Sequence, residues 1–227
     1  MNVAVIPAKG VSERLPGKNM KSLAGEPLLK YTINVLRLSA YVDEIVVSSE
    51  NDSILDYAEY MCCIPFRRDV DMATNDVMVW DVVKEVAGQY VKKKKSVRYF
   101  LEVHTTYPFR RRSTVDGAIE YCTSNGYEGV LVAKPVTDRL WRFIDGGVVR
   151  LADDIPVQDS RLMQPLFQDC YGLVNVYKPE LILRGNPYLG RLGIFPSDYN
   201  LECLDIDTEN DFAIADFMMR RRLKSYE

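Results

Sequence analysis

The sequence has 227 residues, of which 47% are hydrophobic and 27% are charged, the balance of an ordinary globular protein. Its formal net charge of −3 argues against a nucleic-acid partner, because phosphate backbones are normally met by a net basic face. No apolar run approaches the roughly 20 residues of a membrane helix, so we expect no membrane span.

The N-terminal segment and the cysteines indicate the cellular compartment of the protein. The first residues carry no charged leader before their apolar stretch, so we expect a first strand there and not a signal peptide. The five cysteines include the adjacent pair Cys62 and Cys63, and no spacing among them resembles a zinc site. We therefore expect reduced thiols in a cytoplasmic protein.

Short β-rich runs alternate with amphipathic helical patterns through the first 133 residues. The patterns predict strands at 3–6, 44–48, 63–66, 99–103 and 130–133, and helices at 27–39, 51–61, 76–90 and 113–124, the last opened by Ser113 as its cap. Such alternation predicts an α/β fold, with a mostly parallel, doubly wound sheet covered by helices on both faces.

The pattern changes in the second part of the chain. Residues 140–150 predict a hairpin around Asp145-Gly146-Gly147, and further strands are expected at 172–177 and 192–195. A closing helix is predicted at 208–220, with Thr208 as its cap and Asp211 three residues later. We predict one domain, 1–227, with a small excursion at about 135–170.

The loop after the first strand, AKGVSERLPGKN at 8–19, is the first candidate binding segment. Ligands of parallel α/β sheets bind beyond the C-terminal ends of the strands. Gly10 and Gly17 permit close backbone approach, while Lys9, Arg14 and Lys18 supply positive charge, a combination suited to a polyphosphate. The glycine spacing fits neither a Walker loop nor a dinucleotide fingerprint. Taken alone, the loop is also compatible with plain basic surface.

Asp205 and Asp207 form the second candidate segment. Side chains two residues apart in an extended chain point to the same side, and two carboxylates suit Mg²⁺, which shares itself with substrate phosphates. The alternative is structural, since Asp207 also suits the N-terminus of the helix that follows it.

Three segments together resemble the cytidylyltransferases that make CMP-sialic acid and related CMP-sugar acids. They are AKGVSERLPGKN at 8–19, FRRDVDMATND at 66–76 and LDIDTENDF at 204–212, and their order and spacing match over about residues 3–219. The resemblance implies a Rossmann-like nucleotidyltransferase fold, CTP and an acidic sugar as substrates, and Mg²⁺ as the cofactor.

The resemblance also implies roles for individual residues. Lys9, Ser12 and Lys18 would contact the phosphates of CTP, in the loop that contains Gly10, and Asn19 would lie near the ribose. The two lysines would stabilise charge that develops during attack on the α-phosphorus.

The middle and last segments would complete the nucleotide site. Arg68, Ala73 and Asn75 would lie near the cytosine, and Asp205 and Asp207 would hold the metal.

The sequence departs from the family pattern mainly on the acceptor side. His104 stands where relatives carry a glutamine that contacts the sugar, and it could deprotonate the sugar hydroxyl or only hydrogen-bond to it. Arg142 would meet the acceptor carboxylate, although a hairpin arginine is also compatible with surface. Gln168 stands where a second basic residue is usual, and Arg161 could substitute for it. We therefore expect an acceptor other than ordinary sialic acid.

On the nucleotide side, Lys9 replaces an arginine, and Glu13 replaces a basic residue and could repel phosphate unless Arg14 swings in. Two other functions stay open: a nucleotide-sugar glycosyltransferase with a DxD motif, and an inactive nucleotide-binding homologue. The excursion at 135–170 resembles the family's dimerisation element, which would make Trp141, Phe143 and Ile144 interface residues of a homodimer.

Overall fold

An eight-stranded sheet lies at the centre of the part of the chain described by the computed structural model, residues 1–74, 76–137, 140–151 and 165–224. The strands are β1 (Asn2–Pro7), β2 (Ser22–Leu23), β3 (Glu26–Pro27), β4 (Glu44–Ser49), β5 (Ile64–Arg67), β6 (Tyr99–Glu102), β7 (Gly129–Val136), β8 (Trp141–Ile144), β9 (Gly147–Arg150), β10 (Leu166–Asp169), β11 (Asn175–Tyr177) and β12 (Leu192–Pro196). In the large sheet the order is β10-β7-β11-β6-β1-β4-β5, and β12 also pairs with β7.

Most strands of the large sheet run in the same direction. The pairs β1–β4, β1–β6, β4–β5 and β7–β12 are parallel, as the alternating pattern predicts. By contrast, β11 lies antiparallel between β6 and β7, and β10 is antiparallel to the far end of β7. The prediction of a mostly parallel α/β sheet is confirmed, and the two reversed strands belong to the later part of the chain.

Helices cover both faces of this sheet. They are α1 (Leu28–Leu38), α2 (Asp52–Tyr60), α3 (Val79–Lys92), α4 (Arg112–Asn125), α5 (Pro179–Leu183) and α6 (Glu209–Lys224). Ala4 and Ile6 of β1 pack in one apolar cluster with buried residues of α1, α2 and α4. Val3 and Val5 point the opposite way, into a cluster with α3 and α5. This alternation along one strand is the sign of a sheet buried on both faces.

A third apolar cluster joins the two ends of the chain. Leu15 of the first loop packs with Phe109, with Ile206 and with Phe212 of α6, and all are buried. At the start of α6, Thr208 and Asp211 cap one another, because the Asp211 N–H donates to Thr208 Oγ1 at 3.2 Å and the Thr208 N–H donates to Asp211 Oδ2 at 2.8 Å. The predicted capping pair is confirmed.

Two local predictions about helix starts are wrong. The helix predicted from residue 76 begins at Val79. The next helix begins at Arg112, with Arg111 as its N-cap and no side-chain cap, so Ser113 lies inside the first turn. Arg111 is held there by Glu202, which accepts from its backbone N–H at 3.1 Å.

The hairpin β8–β9 forms a separate two-stranded sheet. Its turn has Asp145 at φ 48° and Gly146 at φ 81°, and two successive positive φ values are typical of a type I′ turn. Trp141 and Phe143 are 59% and 84% exposed, so they are not core residues of a single chain. Residues 152–164 of the predicted excursion lie outside the described residues, and the domain boundaries stay a prediction.

Among the described residues, no helix combines the length and the apolar character needed to cross a membrane.

Candidate active site

The loop after β1 is held by hydrogen bonds of Asn19, one within the loop and one to the loop after β6. Gly17 adopts the left-handed conformation, φ 64°, and is followed by a 3-10 turn at Lys18–Met20. The buried side chain of Asn19 donates to the backbone oxygen of Lys9 at 2.7 Å and accepts from Thr105 Oγ1 at 2.6 Å. Asn19 therefore sets the shape of the loop. Proximity to the ribose, which the resemblance implies for Asn19, stays a prediction.

Lys18 reaches the opposite end of the chain. Its ammonium nitrogen donates to the backbone oxygen of Ile206 at 3.1 Å and lies 3.3 Å from Asp207 Oδ1. Arg14 Nη1 lies 2.8 Å from the other oxygen of Asp207. The basic loop and the carboxylate pair, 189 residues apart, are thus brought together on one rim.

Asp205 has one carboxylate oxygen that is held and one that is not. Tyr107 donates its hydroxyl to Asp205 Oδ2 at 3.2 Å, whereas Oδ1 is buried and finds no hydrogen-bond partner within the described residues. Burial raises the pKa of Asp205, and the negative charge of Asp207 adds to this effect. A cation between the two carboxylates would supply the missing partner and relieve the repulsion, so the donor set fits a hard divalent ion.

A cavity of about 630 Å³ opens between these elements. Its size is in the range of small-molecule sites. The predicted site residues that line it are Lys9, Ser12, Lys18, Asn19, Arg68, Ala73, His104, Asp205 and Asp207. The structure therefore brings most of the predicted nucleotide and metal residues together in one cavity.

Gly10 and Arg68 share one carboxylate partner. Glu50 Oε1 accepts from the Gly10 N–H at 2.6 Å, and Glu50 Oε2 accepts from Arg68 Nη2 at 3.0 Å. Arg68 is 5% exposed. A side chain at Gly10 would collide with Asn51, whose Cβ lies 2.7 Å from the position of an added Cβ. Glycine is therefore required there by close packing, and Glu50 is a site residue that the sequence analysis missed.

His104 lies between a buried carboxylate and a glycine. Its Nε2 is 2.8 Å from Glu102 Oε1, and Glu102 is fully buried at the end of β6. The ring makes an edge contact with Tyr171, with centroids 5.1 Å apart. Gly172 has φ +81°, and a Cβ there would lie 2.2 Å from the ring of His104. The histidine ring is thus confined to one position.

The Arg110 guanidinium links the backbone at His104 to the backbone at Leu173. It is buried and donates to the backbone oxygens of Leu173 and His104, each at 2.5 Å, and to Thr32 Oγ1 at 3.0 Å. Burial lowers the pKa of Arg110 to about 9. The guanidinium thus supplies hydrogen bonds to buried carbonyl oxygens in two loops, the one after β6 and the one between β10 and β11.

The residues predicted to bind the acceptor do not all reach this cavity. Arg142 lies on the exposed hairpin and Gln168 on β10, and neither lines it in the single chain. Asn75 and Arg161 fall outside the described residues. Glu13 and Arg14 both line the cavity, and the Arg14 guanidinium bonds to Asp207. The acceptor roles stay predictions.

The fold is an α/β sheet covered by helices. A basic loop follows its first strand and a carboxylate pair precedes its last helix, and together these features define a class of nucleotide-handling protein. Within this class, the cytidylyltransferase family model matches residues 3–170. The chain belongs to the cytidylyltransferase family, and the protein is a nucleotidyltransferase.

Individual relatives agree with this membership. A CMP-N,N'-diacetyllegionaminic acid synthase of Legionella pneumophila subsp. pneumophila is 30% identical over 96% of this chain and 95% of that protein. An N-acylneuraminate cytidylyltransferase of Streptococcus agalactiae is 24% identical over 92% of this chain, but the match spans 51% of that longer protein. A solved structure of CMP:2-keto-3-deoxy-manno-octonic acid synthetase complexed with CTP has a TM-score of 0.71 at 13% identity, covering 97% of this chain and 99% of that one.

Proposed function

We propose that this cytidylyltransferase transfers CMP from CTP to an acidic sugar, a nonulosonic or ulosonic acid, and releases pyrophosphate. The observation that carries the proposal is the convergence of Lys18 with Asp205 and Asp207 on one cavity of about 630 Å³. Positive charge and paired carboxylates side by side on one rim of the cavity are what a metal-bound polyphosphate requires.

In the proposed reaction Lys9 and Lys18 hold the phosphates of CTP. Attack on the α-phosphorus places negative charge on its equatorial oxygens, and the departing pyrophosphate carries more. Cations that are already in place stabilise both without further reorganisation. Lys18 is 14% exposed in its side chain, so its charge acts in a poorly solvated position.

Mg²⁺ is the metal that we propose for Asp205 and Asp207. The unpartnered Oδ1 of Asp205 supports this choice. When bound, the ion would neutralise charge on the phosphates. Because Asp207 contacts Lys18 and Arg14, metal binding would have to compete with or rearrange these two contacts. We expect Arg14 to be released first, since its side chain is 69% exposed.

For the acceptor we propose a nonulosonic acid other than ordinary sialic acid. The name of the Legionella relative, which matches over nearly its whole length, points to N,N'-diacetyllegionaminic acid as the first candidate. The replacement of the family's glutamine by His104 on the acceptor side supports the same direction. We retain 3-deoxy-octulosonic acid and a phosphonate analogue as further candidates.

A panel assay tests the proposed function. The purified protein is incubated with CTP, Mg²⁺ and one acid at a time, and pyrophosphate release and the CMP-sugar are measured. We expect the fastest turnover with a nonulosonic acid other than sialic acid. Sialic acid as clearly the best acceptor would refute the acceptor proposal. Binding of radiolabelled CTP without turnover of any acid would indicate an inactive homologue, and sugar transfer from a nucleotide sugar without pyrophosphate would indicate a glycosyltransferase.

We also propose that the protein is a cytoplasmic homodimer joined through the β8–β9 hairpin. The exposed apolar side chains of this hairpin support the proposal, since a contiguous exposed apolar surface usually marks an interface. They are Leu140, Trp141, Phe143, Ile144, Val148, Val149 and Leu151. A partner's hairpin would offer a route by which Arg142 reaches the acceptor. The cytoplasmic location rests on the predicted reduced state of the cysteines.

A further inference from the structure

Glu102 is an acidic residue at the end of a buried strand whose other residues are hydrophobic. It ends the buried run Tyr99–Glu102 of β6 and is 0% exposed, in register with Asn175 of β11. Its Oε2 has no hydrogen-bond partner among the described residues, while its Oε1 is 2.8 Å from Nε2 of His104. A buried carboxylate costs free energy unless it is compensated, so its presence calls for a function beyond packing.

The position of Glu102 determines which nitrogen of His104 carries the proton. A carboxylate only accepts hydrogen bonds, so the neutral imidazole facing it must donate from Nε2. The lone pair of the ring is then on Nδ1. No hydrogen bond joins Nδ1 to any part of the chain that the structure describes, and His104 lines the cavity.

The surroundings of His104 fix its orientation. The backbone N–H of His104 donates to Gly172 O at 2.7 Å, and its carbonyl accepts from the buried Arg110. The titratable groups near the ring are Glu102 on β6, Asp169 on β10, Tyr171 and the Arg110 guanidinium. Burial raises the pKa of Asp169, the charge of Glu102 raises it further, and His104 lowers it.

From this geometry we infer that Glu102 is a positioning residue that holds His104 as the general base of the proposed CMP transfer. The acceptor hydroxyl oxygen forms a bond to the α-phosphorus while the bond from that phosphorus to pyrophosphate breaks. The electron pair leaves with pyrophosphate, and the hydroxyl proton passes to Nδ1 of His104. Glu102 stabilises the resulting imidazolium through its hydrogen bond to Nε2–H. The inference rests on the proposed function for its chemical step.

The kinetic test compares Glu102→Gln, which keeps the size and removes the charge, with Glu102→Asp, which keeps the charge. We expect Glu102→Gln to lower kcat about 10- to 100-fold with little change in KM for CTP. Loss of the negative charge removes the partner that stabilises the imidazolium, so the acid limb of the pH profile should move to lower pH. Glu102→Asp should retain the position of that limb and part of the rate.

Two outcomes of the kinetic test would overturn the inference. One is a pH profile in Glu102→Gln that falls uniformly without movement of the acid limb, as a merely structural role predicts. The other is that Glu102→Gln lowers kcat by the same factor in a His104→Ala background as in the wild type. A residue that acts through His104 should have no further effect once the imidazole is gone.

A spectroscopic test separates this inference from the proposed function. His104 is the single histidine of the chain, so its ring nitrogens give unambiguous ¹⁵N NMR signals. We expect the Nε2–H tautomer in the wild type and a lower imidazole pKa in Glu102→Gln, whether or not any acid is turned over. An Nδ1–H tautomer, or an imidazole pKa unaffected by Glu102→Gln, would overturn the positioning role. Absence of pyrophosphate release with every acid would refute only the proposed reaction.

Discussion

Replacing Gly172 by alanine would place a methyl group where the ring of His104 lies. The added Cβ would be 2.2 Å from both Cγ and Nδ1 of that ring, and the backbone at Gly172 has φ +81°. The ring would have to retreat by more than about 1 Å to regain ordinary van der Waals contact. It cannot do so freely, because Glu102 holds Nε2 and Tyr171 contacts the ring.

The backbone cost and the steric cost can be separated with a matched control. Left-handed backbone costs alanine about 1–2 kcal/mol, which lowers Tm by roughly 2–8 °C in a chain of this size. Gly185 has a similar φ of +86°, but an added Cβ there meets only the flexible end of Lys84, at 3.3 Å. Gly185→Ala therefore carries the backbone strain without displacing His104.

Thermal unfolding and pyrophosphate release measure the two effects. Both variants should lose stability, Gly172→Ala more than Gly185→Ala. A displacement of about 1 Å at a reacting group can lower the rate about 100-fold, so we expect a loss of that order in kcat for Gly172→Ala alone. The KM for CTP should change little. Equal kcat values in the two variants would refute the argument that Gly172 exists to seat His104.

Three further predictions concern the metal, the interface and pH. Asp205→Asn should abolish the rise in Tm that Mg²⁺ causes and lower kcat at least about 100-fold; a Tm that still responds to Mg²⁺ would contradict the metal site. Replacing Trp141 and Phe143 by glutamate should yield monomers in sedimentation velocity, and an unchanged dimer would remove the hairpin from the interface. Burial alone would raise the pKa of Glu50, but hydrogen bonds, including the one from Arg68, lower it overall. A carboxylate with a lowered pKa stabilises the fold above its ordinary pKa, and this contribution is lost as the pH falls through the folded-state pKa. Glu50→Gln should therefore cost about 2 kcal/mol at pH 7 and progressively less below about pH 4.5 in urea unfolding; a cost independent of pH would show that the charge is unimportant.

The alternation of strands and helices made the fold predictable, because the spacing of hydrophobic residues that distinguishes a strand from a helix is a property of the local sequence. For example, the run Glu44–Ser49 and the helix Leu28–Leu38 lie within one residue of their predicted bounds. The direction of a strand is not a local property. The reversed strand Asn175–Tyr177 has three buried residues that would suit either direction, so its antiparallel place beside β6 follows only from the path of the chain.

The candidate site was predictable where the sequence carries charge in loops, and not where charge is buried. Lys18 and Asp205 stand in motifs with recognisable chemistry. Glu50, Glu102 and Arg110 were missed as site residues. Glu50 and Arg110 have partners far away in sequence, Gly10 for Glu50 and Leu173 for Arg110. Only Glu102 carried a usable signal: an acidic residue in the apolar run at 99–103 needs a buried partner, and the histidine two residues later is on the same side of an extended chain.

The two halves of the cavity depend on different parts of the fold, so substitutions in the two parts should affect different steps of the reaction. On the proposed nucleotide side, Leu15 and Ile206 pack in the cluster that docks α6, so Lys18 meets Asp207 only when the last helix is in place. On the proposed acceptor side, the position of the His104 ring depends on Arg110 and on the turn between β10 and β11. Substitutions in the first cluster should therefore weaken CTP binding, whereas those around Arg110 should lower turnover with CTP binding intact.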